Sequence, residues 1–142
     1  MSEISIRLHT VDDRVKQEGV SRENPPIVID YFPPFGEGAG YTSQELLLIS
    51  LSSCLSTTML TLIRGKMKRT ITAMSVDASG TTRDTHPKAF THIRLALVIT
   101  SPDILTDEVQ KAIDVSEEKL CPVWALLKGN VEITVEHRIL QP

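Results

Sequence analysis

Residues 42–63 read TSQELLLISLSSCLSTTMLTLI, and the fold turns on what this stretch is. Thr42-Ser43-Gln44-Glu45 has the pattern of a capping box, in which the Thr42 hydroxyl accepts from the N–H of residue 45 and the Glu45 carboxylate reaches back to the N–H of Thr42. The spacing predicts a helix that starts here. From Leu46 to Ile63 no residue is charged, and a run of that length passes as a membrane span by length alone. Seven of its positions are Ser or Thr, however (Ser50, Ser52, Ser53, Ser56, Thr57, Thr58 and Thr61), and a lipid-facing helix has little with which to satisfy those hydroxyls. A central helix buried in a soluble core, or packed at a subunit interface, is the better reading. The helix should end at the basic cluster Arg64, Lys66, Lys68 and Arg69, which suits the negative end of its dipole.

Outward from this helix the periodicity changes. In EISIRL, Ile4, Ile6 and Leu8 alternate with Ser5 and Arg7, the period of a half-buried strand. PIVIDYF, after the Pro25-Pro26 break, predicts a second. PPFGEGAGY places two prolines and three glycines in nine residues, so it must be a loop, and loops of this kind often line sites. Beyond the helix, TITAMSVDASG and FTHIRLALVITS predict two strands joined by a polar turn around Gly80 and Asp84. The second carries Ile93, Leu95, Leu97 and Ile99 on one face and Arg94 and Ala96 on the other. SPDILTDEVQKAIDVSEEKL is an amphipathic helix with Val109, Ala112, Ile113, Ser116 and Leu120 on its apolar face. Pro122 disfavours helical geometry at Cys121 and should break the helix there. A short helix, PVWALLK, follows with Pro at its first position and Gly129 past its end, and NVEITVEHRIL closes the chain as an alternating strand. The order β β α β β α α β, without repeats or linkers, predicts a single α+β domain over 1–142 with mostly antiparallel strands.

The 142 residues carry a net charge of −3 and six aromatic side chains, which gives no electrostatic reason to approach nucleic acid or an anionic membrane. The start MSEISIRLHTVDD lacks a basic and an apolar leader region, so a cytoplasmic setting is expected. Two cysteines in a reducing compartment are too few for a stapling framework, and their reactivity becomes the question. Cys54 shares a helix face with Leu47, Ser50, Leu51, Thr58 and Thr61; burial there raises a thiol pKa, and unassisted it would be inert. Cys121, just ahead of Pro122, sits at the N-cap of the short helix, where free N–H groups favour a thiolate. Both also read as small core residues, and Glu45 reads as a cap. Glu45 precedes Cys54 by nine residues, about 13 Å along the axis and on the opposite face, so it acts on that thiol only through an intermediary such as an arginine from the N-terminal segment. His9, His86, His92 and His137 show no metal-ligand spacing with the cysteines, and GEGAG lacks the Lys-Ser/Thr ending of a phosphate loop.

SQELLLISLSSC, then HPKAFTHIRLAL between two strands, then AIDVSEEKLCPVWALL and a last strand, resembles the OsmC/Ohr family of thiol peroxidases over about Ile27 to Ile139. The nearest pattern is the OsmC-like branch with an ELLL…C helix. The resemblance implies an OsmC-like α+β fold: an intertwined homodimer with two long buried central helices packed between two sheets. It implies that Cys54 is the peroxidatic cysteine and Cys121 the resolving one, and that an N-terminal arginine pairs with a glutamate at the start of the central helix. Glu45 matches the ELLL branch, whereas other Ohr and OsmC proteins carry the glutamate at the position of Gln44. Arg14 is the best-placed arginine, with Arg22 and Arg7 as rivals. The implied activity is reduction of an organic hydroperoxide in oxidative-stress defence, through a Cys54 sulfenic acid and a Cys54–Cys121 disulfide. A dithiol, such as a lipoylated protein, would return both thiols, with no metal or organic cofactor. The rival expectation is a non-catalytic dimer of the same fold that binds a small apolar ligand in its inter-subunit cleft.

Overall fold

A computed structural model describes residues 1–142. The elements run β1 (Arg7–Thr10), β2 (Gln17–Val20), β3 (Ile27–Ile29), α1 (Ser43–Gly65), β4 (Ala73–Thr82), β5 (Phe90–Thr100), α2 (Thr106–Val115), a π-helical turn (Ser116–Leu120), α3 (Pro122–Leu127) and β6 (Glu132–Leu140). Two compact units divide the chain, Met1–Leu47 and Leu48–Pro142.

In the first unit β1, β2 and β3 form an antiparallel sheet, with Arg7 opposite Val20 and Gln17 opposite Ile29. Gln17–Val20 shows no alternation, and β2 was not expected; it forms between β1 and β3, which pair with it on either side. The expectation for Ile4, Ile6 and Leu8 is corrected. The strand starts only at Arg7, and the three apolar residues are 91%, 67% and 50% exposed, because no layer of this unit covers them. The Pro/Gly segment is a loop. It is organised by buried Asp30, whose carboxylate accepts from the N–H groups of Tyr31 (2.8 Å), Ala39 (3.0 Å) and Glu37 (3.2 Å). The loop returns beside β3, where Tyr41 donates its N–H to the Val28 carbonyl at 3.0 Å. Glycine is required at position 40, since a Cβ there would lie 2.3 Å from the Val28 carbonyl oxygen.

The capping box forms as expected. Glu45 accepts from the Thr42 N–H at 2.8 Å, and the Glu45 N–H donates to the Thr42 hydroxyl at 3.2 Å. α1 follows for 23 residues and is long and apolar enough to cross a membrane by length and composition. One stripe of it, Leu51, Leu55, Met59 and Ile63, recurs every fourth residue and is fully buried. The stripe shares the second unit's core with Ile93, Leu95, Leu97 and Ile99 of β5, Val109, Ala112 and Ile113 of α2, and Trp124 of α3. Each such aliphatic side chain contributes about 1.5–3 kcal/mol by leaving water. The opposite face, including Ile49, Ser53, Thr57 and Thr61, is exposed, so in the single chain the central helix is only half buried.

β4 pairs antiparallel with β5, and β6 pairs with β5 in parallel. A parallel pairing needs a long crossover, which is supplied by α2, the π turn and α3. Two expectations need correction here. Gly80 is not in the turn but inside β4, where the Phe90 ring occupies the space of a Cβ. Leu120 is not on the buried face but 45% exposed, because the Cys121 N–H bonds to the Ser116 carbonyl five residues back at 2.8 Å. That extra residue in the turn displaces Leu120 and turns Cys121 inward.

Candidate active site

Cys54 lies at mid-length on α1 and is partly exposed, whereas Cys121 is 2% exposed at the junction of the π turn and α3. Their sulfurs are 2.8 Å apart, with the Cys121 thiol placed as donor to Cys54 Sγ. Cys121 adopts extended geometry (φ −83°, ψ 104°) as the N-cap of α3, as the following proline dictates. Its sulfur accepts from the Trp124 N–H at 3.4 Å. The expectation that free N–H groups would favour a Cys121 thiolate is outweighed. Burial first, and the contact with Cys54 second, push this thiol from its ordinary 9.0 to about 11, against the opposing Trp124 N–H. Cys121 is therefore protonated at neutral pH, and it can offer its proton to a neighbouring sulfur.

On α1 the Thr58 hydroxyl donates to the carbonyls of Cys54 (3.1 Å) and Leu55 (3.0 Å). The Glu45 carboxylate is occupied by its cap, and the Thr42 N–H holds it below the usual carboxylate range. Arg14 is exposed in the β1–β2 turn, where its N–H donates to Asp12 at 2.9 Å, and it makes no ion pair with Glu45. Arg7 lies on β1, and Arg22 follows β2 in the left-handed region at φ 56°. No three His, Cys, Asp or Glu side chains converge as metal ligands.

A groove of about 850 Å³ runs between the second half of α1 and the α2–π segment, and neither cysteine lines it. Thr57 and Thr58, about one turn beyond Cys54, line one end together with Leu120, the neighbour of Cys121. Sequence reading missed this groove, because its walls come from segments some 50 residues apart and join only when the crossover packs. The π turn was equally invisible, since SEEKL continues the helical pattern without a break.

The arrangement defines a class: an α+β chain in which a half-exposed helix cysteine meets a buried cysteine from the crossover of its sheet. The chain belongs to the OsmC-like protein family, whose model matches residues 36–136. Escherichia coli protein YhfA is 27% identical over 96 residues, covering 68% of this chain and 71% of YhfA. Among solved structures, a hypothetical protein of Aquifex aeolicus superposes with TM-score 0.86 at 20% identity, covering 100% and 99% of the two chains. An organic hydroperoxide resistance protein of Legionella pneumophila gives 0.72 at 14%, with 96% and 98% covered. The Bacillus subtilis OhrB gives 0.64 at 16%, with 94% and 98% covered. These likenesses establish the OsmC-like α+β fold.

Proposed function

We propose that this chain is a cysteine-based peroxidase that reduces organic hydroperoxides, and the observation that carries the reading is the 2.8 Å approach of the two sulfurs. The Cys54 thiolate attacks the O–O bond, releasing an alcohol once the leaving alkoxide takes a proton and leaving Cys54 as sulfenic acid. The Cys121 thiol then condenses with it, expelling water and forming the disulfide. A dithiol reductant, of the lipoyl type in this reading, exchanges with the disulfide and is itself oxidised. The asymmetry of burial supports the order of events, since the more exposed Cys54 meets the oxidant first. Arg14 is assigned to orient the hydroperoxide and Glu45 to hold that arginine. The names of the hydroperoxide resistance neighbours agree with the reaction class.

The working unit in this reading is a homodimer. Ile4, Ile6, Ile27, Tyr31, Phe32 and Phe35 of the first unit are exposed, together with Ile49 on α1, and monomers rarely leave so many large apolar groups in water. A second reading, a non-catalytic dimer that binds a small apolar ligand, is favoured by one observation: Glu45 is engaged in its own cap while Arg14 has no carboxylate partner. Intact mass and free-thiol count after one equivalent of cumene hydroperoxide separate the two. Loss of both thiols with about 2 Da, absent in Cys54→Ser, supports the peroxidase. Two persistent thiols after long exposure would sink it in favour of the binding protein.

A further inference from the structure

Between the two cysteines in sequence lies an ion pair that the proposed reaction leaves without a part. The Arg69 guanidinium grips the Glu108 carboxylate through Nε, at 3.0 and 3.1 Å to its two oxygens, and through Nη2 at 3.0 Å. Both side chains are largely withdrawn from water, and a fork of this kind fixes direction as well as distance. Each partner is itself anchored. The Arg69 N–H donates to the Ile63 carbonyl at 3.2 Å, which ties Arg69 to the last turn of α1. Glu108 also accepts from the Leu105 N–H at 3.0 Å, which ties it to the first turn of α2. Beside the pair, the Thr70 N–H donates to the Asp103 carboxylate at 2.9 Å. The end of α1 is therefore fastened to the start of α2.

The sulfurs meet at the other end of the same two segments. Cys54 lies eleven residues before the end of α1 at Gly65, and Cys121 thirteen residues beyond Glu108, so about 16 Å and 20 Å of helix separate the thiols from the ion pair. Between these two ends the groove separates α1 from the α2–π segment. Val109, Ala112 and Ile113 hold α2 on the core, but apolar burial is non-directional, and it resists lifting of the helix more than a swing across the layer beneath. A swing of about 3° about the ion pair carries Cys121 sideways by about 1 Å over a lever of about 20 Å. A misplacement of that size at a reacting atom can cost about a hundredfold in rate.

We infer that Arg69 and Glu108 are a positioning pair for the resolving step, holding the α2–π segment at the angle that sets Cys121 against Cys54. Its use in turnover rests on the peroxidase reading, and the test separates the two. Arg69→Ala and Glu108→Gln, the latter keeping an acceptor for the Leu105 N–H, are treated with excess cumene hydroperoxide. In parallel they are treated with diamide, which takes two electrons and two protons from a dithiol whatever the protein's own activity. Mass spectrometry scores the Cys54–Cys121 disulfide against the Cys54 sulfinic acid, which forms when the sulfenic acid takes the oxygen of a second hydroperoxide, releasing alcohol, before Cys121 reaches it. Both variants are expected to stay folded by circular dichroism and to consume the first hydroperoxide at the wild-type rate. Their sulfinic-to-disulfide ratio should rise about tenfold or more, and their disulfide formation with diamide should slow by a similar factor. Millimolar guanidinium ion should return Arg69→Ala toward the wild type, and Gly40→Ala, which perturbs the Met1–Leu47 unit, should leave the ratio unchanged. Wild-type ratios and diamide rates in both variants overturn the inference, as does an equal rise in Gly40→Ala, since stability and not position would then govern. A wild-type protein that closes its disulfide with diamide but not with cumene hydroperoxide sinks the peroxidase reading alone, and slower diamide closure in the variants then still upholds the positioning role.

Discussion

Oxidation should make this protein measurably harder to unfold, by an amount set by the positions of its cysteines. The sulfurs stand 2.8 Å apart and a disulfide bond is about 2.05 Å long, so closure asks for an approach of less than about 1 Å. Cys54 and Cys121 are 67 residues apart in sequence, and cross-linking a loop of that length removes about 4.4 kcal/mol of unfolded-state entropy at 25 °C. For a chain of 142 residues the unfolding entropy is about 300 cal/mol/K, which converts that gain into a rise in Tm of up to about 15 °C. Strain in the native state subtracts from this, so the expected rise is about 10–15 °C. The assay is differential scanning calorimetry of fully reduced protein and of protein treated with one equivalent of cumene hydroperoxide. Free-thiol counts are taken on the same samples, with Cys54→Ser as control. An intramolecular disulfide that leaves Tm unchanged or lowers it would refute the geometric reasoning, because the bond would then have formed only by distorting the site.

Three other outcomes follow from the packing and the charges. Leu55→Ala, in the fully buried stripe of α1, should cost about 2–5 kcal/mol, read as a lowered urea midpoint at unchanged slope; a loss below 1 kcal/mol would mean that the stripe is not core. Gly40→Ala forces a Cβ against the Val28 carbonyl and should cost about 1–3 kcal/mol as an overpacking change, whereas an unaltered midpoint would show that the loop does not close on β3 as described. Acid should also destabilise the fold. Asp30 is held below its ordinary 3.8 chiefly by the Ala39 N–H, Glu45 below 4.5 by the Thr42 N–H, and Glu108 below 4.5 by the Arg69 guanidinium. The unfolded chain protonates these carboxylates first, so their contribution is complete above the ordinary values and is lost as pH falls through the lower folded ones. Tm should be flat from neutrality to about pH 5 and then fall, with a shallower acid limb in Asp30→Asn; equal Tm at pH 3 and pH 7 would contradict the assignment.

What could be read from the sequence was local. The start of α1 was legible because a capping box lies within four residues, and β5 because Ile93, Leu95, Leu97 and Ile99 alternate without exception. The break at Cys121 was legible because proline constrains the residue before it. The parts that escaped depend on partners distant in sequence. β2 is a strand because β1 and β3 bracket it, whereas Gln-Glu-Gly-Val shows no period of its own. Asp30 falls inside PIVIDYF, expected as strand throughout, whereas β3 ends at Ile29; its role as a loop anchor needs the N–H groups of Glu37 and Ala39 folded back onto it. At the site, both cysteines were singled out by position, but no sequence pattern brings two sulfurs within 2.8 Å of each other. The expectation that N-cap N–H groups would favour a Cys121 thiolate overlooked the core into which the π turn rotates it.

That π turn explains why the pair exists, and it yields a last test. Continued as a regular α-helix, α2 would place residue 120 four beyond buried Ser116, hence on the same face, and Cys121 would point about 100° away. The observed bond from the Cys121 N–H to the Ser116 carbonyl spans five residues, so Cys121 takes the inward place and Leu120 goes to the surface. The segment therefore behaves as a helix carrying one inserted residue. Removing exposed Glu118 would put Cys121 four residues after Ser116, in register for an ordinary α-helical bond from its N–H to that carbonyl. The expected result is a folded protein that still loses both thiols to one equivalent of cumene hydroperoxide, with helicity equal or slightly raised. A folded deletion variant whose thiols no longer react as a pair would mean that the wide turn itself, and not merely the register it creates, holds Cys121 against Cys54.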